Sequence, residues 1–438
     1  MQLPKTRSVA WTWYLVRIVR HLSEVAPGRI GARSSAKGVI DEGVAHFETP
    51  FNREIEATVS NIIMPMAMST SIFGLTGCHA DPSVRRYSES TYNFLCRVEG
   101  SYWDQCRDLI DQWLSHYPNK PRVGLISRMQ SGDDKHFASA FWELYLHETY
   151  HRGEWIIEIE PQVPNATTRP DFLVSKDDVT YYVEARFLFE GGDDSEAARL
   201  NKVLDTINHI DSGPYFLCIS ILKIGSGTPP TGNMKKELES WCACLDPEVM
   251  RTGGDQLIHE WRCGDWDIVF RPIYGARQSG ERTVVGYGYG YGSPDVDTRR
   301  LLAALEDKGS KYGNLPYPLM IAVDLSASFL PDDCAAQALF GTAADSCLTQ
   351  RGYWGRQGQP EHRNTAGILV ASGLAYHNVT EVVPTFWKNA YAARAIEPQP
   401  SWRVAHLDGN VVQYGEPRTA LDRYFGLPND WLVEYPFL

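Results

Sequence analysis

The reading of this chain turns on Arg169-Pro170-Asp171-Phe172 and, a few residues later, Thr180-Tyr181-Tyr182-Val183-Glu184-Ala185-Arg186-Phe187. Side chains of a strand alternate between its two faces. As a strand, the second stretch turns Tyr181, Val183, Ala185 and Phe187 toward a core, and Tyr182, Glu184 and Arg186 the other way. An acid and a cation therefore share a face. Asp171 opens the preceding apolar strand, which ends in the turn residues Lys176-Asp177-Asp178. Antiparallel pairing across that turn brings the Asp171 and Glu184 carboxylates close together. Two carboxylates and a strand carbonyl, that of Ala185, make a hard oxygen site suited to Mg2+ or Mn2+, with waters completing the octahedron.

Upstream, Phe137, Ala140, Phe141, Leu144, Tyr145 and Glu148 recur at helical spacing, and Gly153 stops the helix. Glu143 and His147 lie one turn apart on one side of it. Glu143 is then a third acid able to reach a bound cation or its water; the plainer alternatives are a solvated glutamate and a partly buried histidine. The expected order runs on as strands at 155–160, 171–174 and 180–189, a helix at 196–210 and a strand at 215–224. Beyond it, helices are expected at 234–245 and 296–312, and strands at 266–273, 318–325 and 366–374. The last 60 residues are rich in Pro and Trp and weakly periodic. The fold class is α/β, a mixed central sheet flanked by helices. Residues 1–82 form a poorly patterned N-terminal extension, and 83–438 read as one continuous domain.

The 438 residues carry a net charge of −12, which argues against binding a polyanion over the whole surface. Nucleic-acid binding would need a local basic patch, to which Arg299-Arg300 and Lys235-Lys236 are candidate contributors. The nine cysteines are odd in number and none stands in CxxC spacing. A disulfide framework is not expected, and a reducing cytoplasm is the default setting. Cys242 and Cys244, two apart on a helix, point different ways and suit zinc badly. No segment supplies the ~20 apolar residues of a spanning helix, so no membrane association is expected. Leu75-Thr76-Gly77-Cys78 has the form of a lipoprotein cleavage box, but it lies far from the N-terminus behind Pro65 and reads as a chance match. In Gly286-Tyr-Gly-Tyr-Gly-Tyr-Gly292 the three tyrosines would share one strand face, either as a base-stacking ladder or, more simply, as a strand packed on its neighbours.

A helix with Glu143, a strand, Pro170-Asp171, residues 172–183, then Glu184-Ala185-Arg186, a helix and a strand resembles the core of the PD-(D/E)XK nuclease superfamily over about 137–224. Over roughly 83–438, Ser139-Ala-Phe-Trp-Glu-Leu-Tyr-Leu-His-Glu148, Arg169-Pro-Asp-Phe172 and Tyr312-Gly-Asn-Leu315 look like phrases of uncharacterised bacterial proteins of similar length. The resemblance implies a restriction-endonuclease-like core with a C-terminal α/β extension. It also implies hydrolysis of a phosphodiester, DNA first, by a water activated at Mg2+ or Mn2+, in a restriction or phage-defence role. Asp171, Glu184 and the Ala185 carbonyl would hold the metal. Glu143, Asp171, Glu184, Arg186 and Lys202 are the candidate catalytic residues. Arg186 departs from the motif's lysine; it can steady phosphate charge but stays protonated and cannot act as a base. Lysine would come from Lys202 or, alternatively, from Lys308 or Lys311. The rival expectation is a degenerate nuclease fold that binds nucleic acid or a protein without cutting. A homodimer is compatible with either.

Overall fold

The structure is a computed structural model. It describes residues 71–74 and 80–432, apart from 165–167, 190–193, 252–256, 276–282, 290–293, 310, 313–314, 327–331, 342, 345–346, 349–351, 357–358 and 410. Residues 1–70 and the Leu75–Cys78 tetrapeptide lie outside the described residues. A compact unit spans Ile72–Phe437 and holds every element below.

Four helices lead: α1 (Thr91–Arg97), α2 (Ser101–His116), α3 (Asn119–Met129) and α4 (Asp134–Arg152). Asp133 caps α4 by accepting from the Lys135 amide at 2.7 Å. The apolar stripe noted in the sequence understates α4. Trp142, Leu146, His147, Thr149 and Tyr150 are buried as well, so the helix is enclosed on most of its circumference. At its end Gly153 keeps φ −76°, and the left-handed position falls on Glu154 at φ 57°. Gly153 is needed for room instead: a Cβ there would meet the Trp155 ring at 2.8 Å.

Next come β1 (Ile156–Ile159), β2 (Phe172–Lys176) and β3 (Val179–Leu188), an antiparallel meander. The chain then departs from expectation. Helix α5 (Asp194–Asn208) and β4 (Tyr215–Lys223) do not join this sheet. They belong to a second, four-stranded sheet with β5 (His259–Cys263), β6 (Trp266–Tyr274) and β7 (Val284–Tyr289), in the order β5-β6-β4-β7. Helices α6 (Thr231–Ala243) and α7 (Pro247–Arg251) fall within the same stretch of chain. Leu200, Val203, Leu204 and Ile207 of α5 and Met234 and Leu238 of α6 share a core with this sheet. The span 137–224 therefore divides between two sheets. The first half of the Gly-Tyr tract lies in the edge strand β7, parallel to β4.

Helix α8 (Pro294–Gly309) leads back, and β8 (Leu319–Leu325) lies parallel to β3. Helix α9 (Asp332–Phe340) follows, then two small ladders, β9 (Ala343–Ala344) with β10 (Cys347–Leu348) and β11 (Gly355–Arg356) with β12 (Gln359–Pro360). Strands β13 (Thr365–Ser372), β14 (Thr385–Lys388), β15 (Arg403–Asp408) and β16 (Val411–Gly415) complete an eight-stranded mixed sheet, β1-β2-β3-β8-β13-β14-β15-β16, and α10 (Leu421–Phe425) follows. The C-terminal half is thus no extension, because it supplies five of the eight strands. The weakly periodic tail contributes three of them.

Strand β3 is covered on both faces. Tyr181 and Val183 pack with α1, α2, α4 and α10, whereas Tyr182 packs with α8 and α9. Trp142 of α4 donates to the Ala322 carbonyl of β8 at 3.1 Å, which ties the helix to the sheet. No disulfide joins the described cysteines; Cys242, on α6, is buried, and Cys244, just past its end, is exposed. Among the described residues no helix is long and apolar enough to cross a membrane.

Candidate active site

The last antiparallel pair of the β2–β3 hairpin is Phe172 with Val183. One step further along that register, Asp171 stands opposite Glu184, on the face away from α4. Directly opposed residues of an antiparallel pair lie about 4.5–5.5 Å apart at Cβ. Asp171 is pinned there by two hydrogen bonds: its carbonyl accepts from the Glu160 amide at 2.8 Å, and its Oδ2 accepts from the Ala185 amide at 2.7 Å. The Tyr182 amide donates across to Pro318 beside β8, so the even residues of β3 bond toward β8 and the odd ones toward β2. The N–H and C=O of one strand residue point to the same side. The Ala185 carbonyl therefore opens beyond the end of β2, on the side where Asp171 lies.

Glu184 is 2% exposed. Its Oε1 accepts from Lys308 at the end of α8 and, at 3.4 Å, from Lys311; its Oε2 accepts from the Tyr312 hydroxyl, which also reaches the Arg169 carbonyl at 3.1 Å. Glu143, half-buried on α4, accepts from the Tyr117 hydroxyl at 2.7 Å and pairs with Arg128 of α3. Glu184 and Glu143 both act on Asp171. Burial, then the charges of Glu184 and Glu143, push the Asp171 carboxyl up to about 7, opposed by the Ala185 amide and Lys308. Burial and the Glu143 charge likewise push the Tyr117 hydroxyl far up, and burial with Glu184 does the same to Tyr312, so both phenols stay protonated donors.

Glu143, Asp171 and Glu184 are therefore within electrostatic reach of one another. Arg186 shares the Glu184 face but is exposed, and its guanidinium makes no ion pair or hydrogen bond among the described residues. Lys202 is not brought here: it is exposed on α5, which packs on the other sheet. The cation beside the carboxylates is Lys308, with Lys311 behind it. His147 is buried against Tyr117 and Phe172, at ring separations of 4.4 and 6.4 Å. Of the paired surface cations, Arg300 donates to the Phe189 carbonyl and Lys235 pairs with Glu239 one turn on at 3.7 Å.

Tyr117, Arg128 and Tyr312 escaped the reading of the sequence as site residues, although Tyr312 opens one of the phrases quoted above. As donors, the carboxylates of Asp171 and Glu184 with the Ala185 carbonyl fit a hard divalent cation. A cation here would relieve the crowding of negative charge that lifts the Asp171 carboxyl. Comparisons with protein-family models, with curated proteins and with solved structures gave no match.

Proposed function

We propose that the chain is a Mg2+- or Mn2+-dependent nuclease of the PD-(D/E)XK kind, acting on DNA, with Asp171, Glu184 and the Ala185 carbonyl holding the metal. The observation that carries this reading is the convergence of Asp171, Glu184 and Glu143 on one place, with the Lys308 ammonium against Glu184. The bound cation would supply a Lewis acid for the phosphate and lower the pKa of the attacking water. Lys308 is the motif's lysine delivered from α8 instead of position 186, and it sets a positive charge where phosphate charge grows. Arg186, exposed on the same strand face, meets the DNA backbone. Glu143, held by Tyr117 and Arg128, adds negative charge behind Asp171 and favours its binding of a cation. In this reading the net charge of −12 confines DNA contact to that local cluster of cations. By analogy with bacterial proteins sharing such a core, the role is restriction or phage defence.

The test is incubation of the purified protein with plasmid and linear DNA in Mg2+, Mn2+ or EDTA. Metal-dependent cleavage that disappears in Asp171→Ala and Glu184→Ala supports the proposal; cleavage unchanged in both, or none with either metal, removes it.

One observation favours a second reading, a degenerate site that binds nucleic acid or protein without cutting. Both Glu184 oxygens are already occupied, by Lys308, Lys311 and Tyr312. Calorimetry with Mg2+ separates the two. The nuclease reading expects binding that is lost in Glu184→Ala, and the degenerate reading expects none.

A further inference from the structure

The far end of α4 holds a different set of donors. His116, the last residue of α2, meets Glu148 and His151 of α4, and one ligand atom from each of the three lies within 4.8 Å of the others. Around a tetrahedral ion with bonds of about 2.0–2.1 Å, ligand atoms stand about 3.3 Å apart, so small side-chain rotations close the set. Glu148 and His151 are one turn apart on the same helix face, the spacing by which helices present a carboxylate and an imidazole to one metal. Glu148 is fully buried and already oriented: Arg152 holds its Oε1 at 2.7 Å, and Oε2 faces His116 Nδ1 at 2.8 Å. The His116 and His151 rings stack at 4.4 Å. A third ring stands beside them. His147 is 2% exposed, its Nδ1 has no partner, and it lies parallel to His151 at 6.3 Å.

We propose that His116, Glu148 and His151 form a second metal site, selective for Zn2+ or a similar borderline first-row ion over Mg2+. Two imidazoles and one carboxylate are the donors such ions prefer, whereas Mg2+ takes oxygens. His147-Glu148-Thr149-Tyr150-His151 also has the H-E-x-x-H spacing of helical zinc sites. Here, however, Glu148 is a ligand and His116 replaces the first histidine. Binding exchanges the His116–Glu148 hydrogen bond for two bonds to the ion, and the proton on His116 Nδ1 leaves to solvent or moves to Nε2. Arg152 remains on Oε1 and keeps Glu148 monodentate. His151 is exposed, so water fills the remaining position. The ion would fasten the end of α2 to the end of α4. This site is independent of the nuclease reading.

The test is calorimetry of ZnCl2 and MgCl2 against the full chain, with melting temperature followed in parallel. The variants are His116→Ala, His151→Ala, the exposed control His136→Ala and the double variant Asp171→Ala/Glu184→Ala. Expected is one Zn2+ per chain, bound at least 100-fold tighter than Mg2+ at this site and raising the melting temperature. Affinity should fall at least 10-fold in His116→Ala and in His151→Ala, and stay unchanged in His136→Ala and in the double variant. Zinc binding that survives both His116→Ala and His151→Ala, that falls equally in His136→Ala, or that is absent in the wild type overturns the proposal. Since His151 is exposed, its variant is expected to fold. A circular-dichroism spectrum matching wild type confirms that a lost affinity reports a lost ligand.

Discussion

Lys308 donates to Glu184 across 124 residues of sequence, joining the end of α8 to the middle of β3. Both groups are mostly buried, with side chains 12% and 2% exposed. Removing one member of a buried ion pair leaves the other uncompensated. Lys308→Ala should lower stability by about 1–3 kcal/mol, less than for an isolated pair because Tyr312 and Lys311 remain. If Asp171 and Glu184 hold a cation, Mg2+ should restore part of that loss. Urea unfolding with and without Mg2+ measures both effects, and a variant that Mg2+ leaves unaided speaks against a metal at Glu184.

The same substitution bears on chemistry. In the nuclease reading Lys308→Ala should cut the cleavage rate by about 10²–10³-fold, the usual cost of a charge aimed at the transition state. Lys202→Ala should leave it unchanged, because Lys202 lies on the other sheet. Equal losses in the two variants would return the lysine role to the strand–helix unit at 179–208.

Gly153→Ala should destabilise the protein by about 1–3 kcal/mol, the cost of forcing atoms into filled space. The added methyl meets the Trp155 ring at 2.8 Å and the Gln399 side chain at 3.0 Å. Thermal unfolding checks this, and a melting temperature equal to wild type would show that the ring moves aside freely.

Two buried groups give stability opposite dependences on pH. His377 has its Nδ1 sealed from solvent, and burial with the nearby Arg85 charge pushes it down to about 4. Between pH 6.5 and about 4 the unfolded chain takes up a proton that the folded chain refuses. Stability from this group therefore falls as pH falls, by up to about 1.4 kcal/mol per pH unit. Asp324, at 0% exposure on β8, has its carboxyl pushed well above the usual range by burial, and its Oδ2 lacks a partner. Its folded form keeps a proton that the unfolded form loses above pH 3.8, so its contribution is full below that pH and declines as pH rises. His377→Gln should flatten the acid side of the stability profile, and Asp324→Asn should gain on wild type between pH 4.5 and 7.5. Denaturant midpoints across that range decide both.

The hairpin was readable because strand alternation and one turn suffice to place Asp171 against Glu184. The partners of those acids were not. Lys308 and Tyr312 reach Glu184 only because α8 packs on the face of β3 opposite to α4, a fact of three-dimensional layering that no local spacing records. Strand β4 has the strongly apolar pattern of a buried strand in either sheet, so its pattern could not say which one it joins. Strands β14–β16 were hidden because they are short, four to six residues each, and lie between stretches rich in Pro. The helix α4 stripe was found, but its extra buried residues obscured the set His147-Glu148-Thr149-Tyr150-His151, whose spacing was visible all along.

The second sheet enters the chain between β3 and β8, which must nonetheless lie side by side. Local hairpins close quickly, while a pairing that spans so much sequence waits for loop closure and gives a high contact order. During synthesis the β1–β3 meander can form early with Asp171 and Glu184 already opposed. Lys308 arrives only after more than a hundred further residues have been made. For that interval the nascent chain presents paired acids without their cationic partner, and in the nuclease reading a divalent ion would be the available counter-charge. The order of folding would then make the ion an early ligand of the growing chain, with the lysine as its late competitor.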